Sequence, residues 1–446
     1  KEASTISELY PLESVLAEQH IREMAEEVPF DDVAALATWV LELREGGPRL
    51  DGAAFNDPGE FARRFRSDSI GLILRTLEEY QWLVRELHKG RQHPLLLAGL
   101  ALRGMVVLSD HIGSAHAQQS LHPAFRVDTA SSARKPGPWS HQLAAEHVSG
   151  STIFIAPTGS GKTETAILWA CRQNSLRKVP HVFYVLPYQA SMNAMHQRLR
   201  ASFSSVALIH GRALEATYRQ LLEDDDARPA AVRKARAEEN LARLQVHGVR
   251  VLSPYQLLKV LFRLKGYEAL SADFFDSAFI YDELHAYEPR RLALIIGQMA
   301  DLVHRFGARV CVMSATLPSF LQEWLRDAIP ELGDTVRASQ QEFLKFRRHR
   351  IAVHEGDLLD QIGQIARRLP TSSALICCNT IKRAQEAYGS LRRQGIDAVL
   401  LHSRFSTGDR LEKERVLDPG REQRIVMVAT QVVEVSLDVS FATIYT

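Results

Sequence analysis

Cysteine is scarce. The 446 residues hold four, Cys171, Cys311, Cys377 and Cys378, without the spacing of a metal site or of a secreted disulfide framework. A reducing, cytoplasmic compartment is therefore expected. An excess of one charge is lacking too. Lys+Arg number 54 against 53 Asp+Glu, a net charge of +1. This excludes bulk electrostatic attraction to nucleic acid and leaves room only for a local basic groove. No unbroken run reaches the ~18–20 apolar residues of a membrane span. The best one, Leu95 to Leu108, contains Arg103. No basic-then-apolar leader opens the chain, so no membrane partner is expected.

What remains is a globular composition, 46% hydrophobic and 24% charged, at a length that predicts two to four domains of ~100–200 residues. The chain begins at Lys1 and ends in the apolar run Ile444-Tyr445-Thr446, which predicts a fragment of a longer protein.

Residues 1–125 read as helical, with three- and four-residue apolar spacing in Val15–Glu27, Asp31–Leu43, Phe61–Leu87 and His93–Leu108. A loop rich in Gly, Pro and Asp, Gly46 to Gly59, separates two of them. Residues 126–138 are rich in Ser, Pro, Gly and charge and read as a linker. Short apolar runs then alternate with helical segments: Thr152–Ile155, His181–Leu186, Val206–His210, Arg250–Leu252, Ser277–Tyr281 and Arg309–Met313. A second series comprises Arg350–His354, Ser373–Cys377, Ala398–His402, Ile425–Ala429 and Thr443–Tyr445. Runs of this kind are strands buried on both faces. The fold class is α/β, with parallel-sheet units over 139–342 and 343–446, the second one truncated. The charged stretch Leu214–Arg243 is either an exposed helical face or a partner site.

The strongest chemical signal is Ala156-Pro157-Thr158-Gly159-Ser160-Gly161-Lys162-Thr163, between a strand and a helix. Thr158, Gly159, Ser160 and Gly161 would wrap phosphates with backbone amides at the helix N-terminus. Lys162 would reach the β- and γ-phosphates, and the Thr163 hydroxyl would ligate Mg²⁺. The strict pattern has Gly where Ala156 stands. Next comes Asp282-Glu283-Leu284-His285, directly after a strand. Asp282 is the carboxylate on the metal side, and Glu283 the base for an attacking water. Third is Ser314-Ala315-Thr316, whose Ser314 and Thr316 can hydrogen-bond His285 and report nucleotide state.

In this order the motifs resemble the superfamily 2 helicases. Gln142, within Pro138-Trp139-Ser140-His141-Gln142, sits where such proteins recognise adenine. Val185-Leu186-Pro187-Tyr188-Gln189, Ser253-Pro254-Tyr255-Gln256, Asn379-Thr380-Ile381-Lys382-Arg383-Ala384, Leu401-His402-Ser403-Arg404-Phe405 and Thr430-Gln431-Val432-Val433-Glu434-Val435-Ser436-Leu437-Asp438 narrow the match. Together they resemble the CRISPR-associated helicase–nucleases of type I interference systems, from Pro138 to Thr446.

The resemblance implies two RecA-like domains and an ATP-driven translocase that moves 3′ to 5′ on single-stranded DNA. It implies recruitment by a crRNA-guided surveillance complex, an accompanying HD-type nuclease, and degradation of foreign DNA. ATP and Mg²⁺ are the implied cofactors, with a divalent transition metal for the nuclease where that domain is complete. Gln431, Glu434 and Asp438 would join His285, Ser314 and Thr316 in coupling. Pro187, Ser253, Asn379, Thr380, Lys382, His402, Arg404 and Thr430 would hold the strand's backbone, which carries no sequence information. Lys382 and Arg404 are equally readable as solvated surface charges.

The front has no His-Asp dipeptide. Its segment Leu108-Ser109-Asp110-His111 is similar to the end of an HD domain, making Asp110 either a metal ligand or a helix-surface carboxylate. An arginine-bearing motif of the family would follow Thr446. A chain ending there is expected to bind ATP and turn it over poorly. Ser440 and Ala442 depart from the acidic residues that the family places after Asp438. Two other readings stay open: an RNA helicase of the same superfamily, and a non-catalytic nucleic-acid- or protein-binding module of the same fold. The presence of Lys162, Thr163, Asp282 and Glu283 argues against the second.

Overall fold

The computed structural model describes residues 23, 26–35, 37–38, 57–68, 71, 82, 94–114, 139–203, 205–223, 228–243, 247–264, 266–347, 350–368, 373–415, 425–431 and 441–446. The described residues form two compact units, one drawn from 1–187 and 196–346, the other from 188–195 and 347–446.

The first unit is built on strands β1 (Thr152–Ile155), β2 (Val182–Val185), β3 (Val206–Ile209), β4 (Val249–Leu252), β5 (Ala278–Asp282), β6 (Arg309–Ser314) and β7 (Thr335–Arg337). They form one sheet in the order β3-β4-β2-β5-β6-β1-β7, and every pairing is parallel. Side chains of β1, β2, β4 and β5 are buried throughout. Contiguous apolar runs do this when helices cover both faces of a sheet. Stacked Phe183 and Phe279, with ring centroids 4.5 Å apart, and edge-on Phe274 anchor one face.

The helices used below are α1 (Pro94–Ser114), α2 (Ser140–Ala145), α3 (Lys162–Leu176), α4 (Pro254–Leu261), α5 (Tyr267–Ala272), α6 (Pro289–Phe306) and α7 (Gln340–Lys345). Helix α1 extends beyond the expected His93–Leu108 and packs on α5. Ala101 joins the core of the first unit, Arg103 pairs with Glu268 at 3.3 Å, and a side chain on Gly104 would collide with the Glu268 carbonyl. Of the helix expected over Phe61–Leu87, a first helix spans Pro58–Ser67, and Gly71 and Trp82 are helical; the rest of that stretch lies outside the described residues. The expected Val15–Glu27 helix and the 126–138 linker lie almost wholly outside the described residues. The charged stretch after Leu214 is two helices, Ala213–Glu223 and Arg228–Arg243.

The second unit carries β8 (Ala374–Cys377), β9 (Val399–Leu401), β10 (Val426–Ala429) and β11 (Thr443–Tyr445), parallel in the order β11-β8-β10-β9. Alternate residues point to opposite faces. Ile376 and Val428 pack with Ala384 and Leu391 of α8 (Ile381–Arg393), whereas Leu375 and Met427 meet Leu401 on the other face.

One strand expectation needs correction. Arg350–His354 is not a strand: Ile351 and Val353 are 88% and 90% exposed, and among the described residues no neighbouring strand takes up its backbone groups. Local alternation reports a pleat, not a partner. Conversely, β7 was not expected, because three residues with one apolar side chain give no pattern. Among the described residues no helix is long and apolar enough to cross a membrane.

Candidate nucleotide site

The register levels three strand ends. β1 pairs Ile155 with Ser314 of β6, and β6 pairs Met313 with Asp282 of β5. Both neighbours run one residue past their apolar stretches, so Asp282 and Ser314 are the last residues of their strands. The loops that follow converge at the carboxyl edge, where open α/β sheets bind ligands.

The loop after β1 turns on two glycines in the left-handed region, Gly159 at φ 80° and Gly161 at φ 85°. Gly161 caps α3, whose N-terminus favours anions. Ser160 closes the turn by donating from its hydroxyl to the Pro157 carbonyl at 2.7 Å. Helix α2 braces the loop from outside. His141 Nε2 lies 3.2 Å from the Ser160 carbonyl, and Gln142 Nε2 donates to the Gly161 carbonyl at 3.3 Å. Gln142 Oε1 accepts from the Trp139 amide at 3.0 Å. Burial lowers the His141 pKa, against Glu342 and the Ser160 carbonyl, which raise it.

Lys162 and Glu283 meet at 3.0 Å, Nζ to Oε1. Glu283 is a non-glycine residue at φ 54°, a conformation that costs on the order of 1–3 kcal/mol and persists where the surroundings over-determine it. The backbone does so here: the Glu283 amide donates to the Met313 carbonyl at 3.2 Å, and its carbonyl accepts from the Ala286 amide at 2.9 Å. The other Glu283 oxygen lies 3.4 Å from His285 Nε2, and His285 Nδ1 lies 3.0 Å from Ser314 Oγ. Ser314 Oγ donates to the Thr316 carbonyl at 2.8 Å and accepts from the Thr316 amide at 3.2 Å. A polar chain thus runs from Lys162 to Thr316.

Asp282 lies beneath it. Burial pushes its pKa up to about 6; Lys162 opposes this, Glu283 adds to it, and the Tyr184 hydroxyl and Glu283 amide oppose it. One carboxylate oxygen accepts from Tyr184 Oη at 3.1 Å. The other, Oδ1, is buried with no hydrogen-bond partner. Thr163 is buried as well. An unpartnered carboxylate oxygen and a buried hydroxyl form an all-oxygen donor set, which suits Mg²⁺.

Three further groups in this unit escaped sequence reasoning. Tyr184 reads as core within an apolar run. His141 lies beside the adenine-motif glutamine and braces Ser160. Glu342 of α7 accepts from Ser140 at the start of α2, through its amide at 2.7 Å and its hydroxyl at 2.5 Å. These partners are 202 residues apart, so only the tyrosine's place in the strand run was legible.

Other predicted residues lie elsewhere. Pro187 ends a segment of the first unit; Ser253 is the buried N-cap of α4. In the second unit, Asn379 and Thr380 follow β8, His402 and Arg404 follow β9, and Thr430 and Gln431 follow β10. All six therefore sit at the carboxyl edge of one parallel sheet. Thr380 Oγ1 caps α8 by accepting from the Arg383 amide at 3.3 Å. Lys382 is exposed and 3.9 Å from Glu386. His402 is buried and stacks on Phe405, with ring centroids 4.3 Å apart; Arg404 beside it is exposed. Glu434 and Asp438 lie outside the described residues. Asp110 is exposed on α1, and no group of three or more His, Cys, Asp or Glu that could hold a metal ion occurs among the described residues.

Comparison with known proteins agrees with this geometry. Residues 140–324 match the DEAD/DEAH box helicase family. Residues 370–446 match the C-terminal part of the CRISPR-associated nuclease/helicase Cas3. The chain is 29% identical over 343 residues to the CRISPR-associated endonuclease/helicase Cas3 of Escherichia coli K12, covering 66% of this chain and 38% of that protein. It is 28% identical over 311 residues to a putative Cas3 nuclease/helicase of Methanocaldococcus jannaschii, covering 66% of this chain and 42% of that one. The chain thus spans about two fifths of the length of these relatives. The solved structure of T. fusca Cas3 with AMPPNP is similar at TM-score 0.52 and 22% identity, over 70% of this chain and 42% of that one. The expected resemblance, and the expected RecA-like parallel-sheet fold, are borne out.

Proposed function

From kinship with the CRISPR-associated nuclease/helicases, we propose that this chain is the motor part of such a protein: an ATP-dependent translocase on single-stranded DNA. The single observation that carries the ATP step is the meeting of Lys162, Asp282 and Glu283 at the mouth of the glycine loop. Gly159, Ser160 and Gly161 offer amides to the phosphates, Thr158 leads into that turn, and Gln142 senses the base. Lys162 neutralises the β- and γ-phosphates. Thr163 and Asp282 are the residues that would hold Mg²⁺, which supplies charge neutralisation for phosphoryl transfer when bound. Glu283 orients the attacking water and takes its proton. His285, Ser314 and Thr316 carry the state of Glu283 away from the site, and Gln431, Glu434 and Asp438 have the matching role in the second unit.

In the second unit Asn379, Thr380, His402, Arg404 and Thr430 at the carboxyl edge of the sheet, and Lys382 on α8, hold the strand by its phosphates; in the first unit Pro187 and Ser253 have the same role. Their contacts read no sequence, as a translocase requires. The names of the relatives support an accompanying nuclease and a place in a CRISPR system; that the nuclease is of HD type and that a crRNA-guided complex recruits the motor are part of the same proposal. Asp110 and its helix are the part of this chain assigned to that nuclease.

The test is ATP hydrolysis by the natural full-length chain without nucleic acid, with single-stranded DNA and with single-stranded RNA, using Lys162→Ala as blank. Stimulation by DNA that disappears in the variant is the expected result. Stimulation by RNA alone overturns the DNA assignment, and no ATP hydrolysis in any condition overturns the motor.

A further inference from the structure

Tyr184 fills a strand position where a phenylalanine would pack equally well. Its neighbours in sequence and space, Phe183 and Phe279, carry no hydroxyl. Its phenol is fully buried, and a buried hydroxyl persists at low cost only with a partner. Its partner is Asp282 Oδ2, at 3.1 Å, and the Thr163 hydroxyl is its other polar neighbour. The strand register explains the reach. Tyr184 is level with Ile280 on β5, so the long phenol meets the carboxylate two residues further along. The nearby Tyr281 hydroxyl, by contrast, is buried with no partner; a phenol in this core does not automatically find one.

We propose that Tyr184 is a positioning residue: its hydroxyl fixes the Asp282 carboxylate through Oδ2, leaving Oδ1 free to serve a divalent cation together with Thr163. The inference rests on the nucleotide reading above. A hydrogen bond from a neutral donor to a charged carboxylate is stronger than a neutral pair. It removes one oxygen from competition and restricts the rotation of the group. Oδ1 is left buried without a hydrogen-bond partner, as a ligand held in readiness requires. The phenol itself touches neither phosphate nor water in this scheme. It acts through Asp282.

The test measures binding of a non-hydrolysable ATP analogue by calorimetry, in Mg²⁺ and in EDTA, for the parent and for Tyr184→Phe. The parent is expected to bind more tightly in Mg²⁺. The variant is expected to lose about 10-fold of that Mg²⁺-dependent gain, while its affinity in EDTA stays within about twofold. A merely structural role would shift both affinities together, and that result, or an unchanged gain, overturns the proposal. Tyr184→Met must give the same split. If neither variant folds, as read by thermal melting, the hydroxyl is structural and the proposal falls. A parent that binds no analogue under either condition overturns the nucleotide reading and the inference with it. A parent with a normal Mg²⁺ gain and an indifferent variant overturns the Tyr184 role alone.

Discussion

The Lys162 ammonium and the Glu283 carboxylate lie 3.0 Å apart although 121 residues separate them in the chain. One is the cation meant for phosphate and the other the base meant for water. Each restrains the other, so a phosphate must compete with Glu283 for Lys162. Glu283→Gln removes the competitor and the base together. We expect the variant to bind ATP as tightly as the parent or more so, and to hydrolyse it about 10²–10⁴-fold more slowly. Calorimetry and a phosphate-release assay on the same preparation separate the two effects.

Ser314 is the junction between His285 and the Thr316 backbone. With its own proton given to the Thr316 carbonyl, its oxygen is left to accept from His285. Ser314→Ala leaves His285 without that acceptor, a loss of about 1 kcal/mol for a neutral hydrogen bond. Basal ATP turnover should fall about 3–10-fold, and its stimulation by single-stranded DNA should fall further, since the chain from Glu283 is cut. An unchanged stimulation ratio would count against a coupling role.

Asp282 has a pKa raised to about 6, chiefly by burial. The unfolded chain's carboxyl titrates near 4. Between those values the folded state binds more protons than the unfolded one, so stability falls as pH rises through that window. Above it the buried charge destabilises the unliganded fold by up to about 3 kcal/mol. Asp282→Asn should therefore melt at a higher temperature than the parent at pH 8 and at nearly the same temperature at pH 4, while losing ATP turnover. Melting curves at the two pH values check the sign. A variant less stable than its parent at pH 8 contradicts it.

The parts of this arrangement that the sequence disclosed are those made of neighbours in the chain. The glycine loop and its helix are contiguous, and Asp282-Glu283 follows an apolar strand directly. Their convergence follows from parallel strands ending level, which alternating strand and helix patterns already imply. Tyr184 was hidden because an apolar run reports burial and not the hydroxyl's partner, 98 residues away. The Glu342–Ser140 link was hidden for the same reason, across 202 residues. Ile351 and Val353 mimic a strand, yet a strand exists only where a neighbour takes up its backbone.

At the opposite end of the first sheet lies a network that serves the fold and not the site. Arg250 is fully buried, 2.7 Å from Asp273 Oδ2 and over the Phe183 ring at 5.2 Å. His181 meets the other Asp273 oxygen at 3.2 Å. Burial alone would raise the Asp273 pKa, but Arg250 and His181 outweigh it and hold it at about 2. That depressed value stabilises the fold above pH ~4, and the contribution disappears as pH falls through about 2. Arg250→Met should cost about 3–5 kcal/mol, because Asp273 is left charged and buried without its main partner. It should also remove the acid-side stability slope, since Asp273 no longer titrates so low. Urea unfolding of parent and variant at pH 7 and pH 3 measures both. A variant as stable as the parent at pH 7, or one that keeps the parent's slope, would show that the pair contributes little. Nucleotide affinity, read at a temperature where the variant is folded, should not change, because Arg250 and Asp273 take no part in the Lys162–Glu283 cluster.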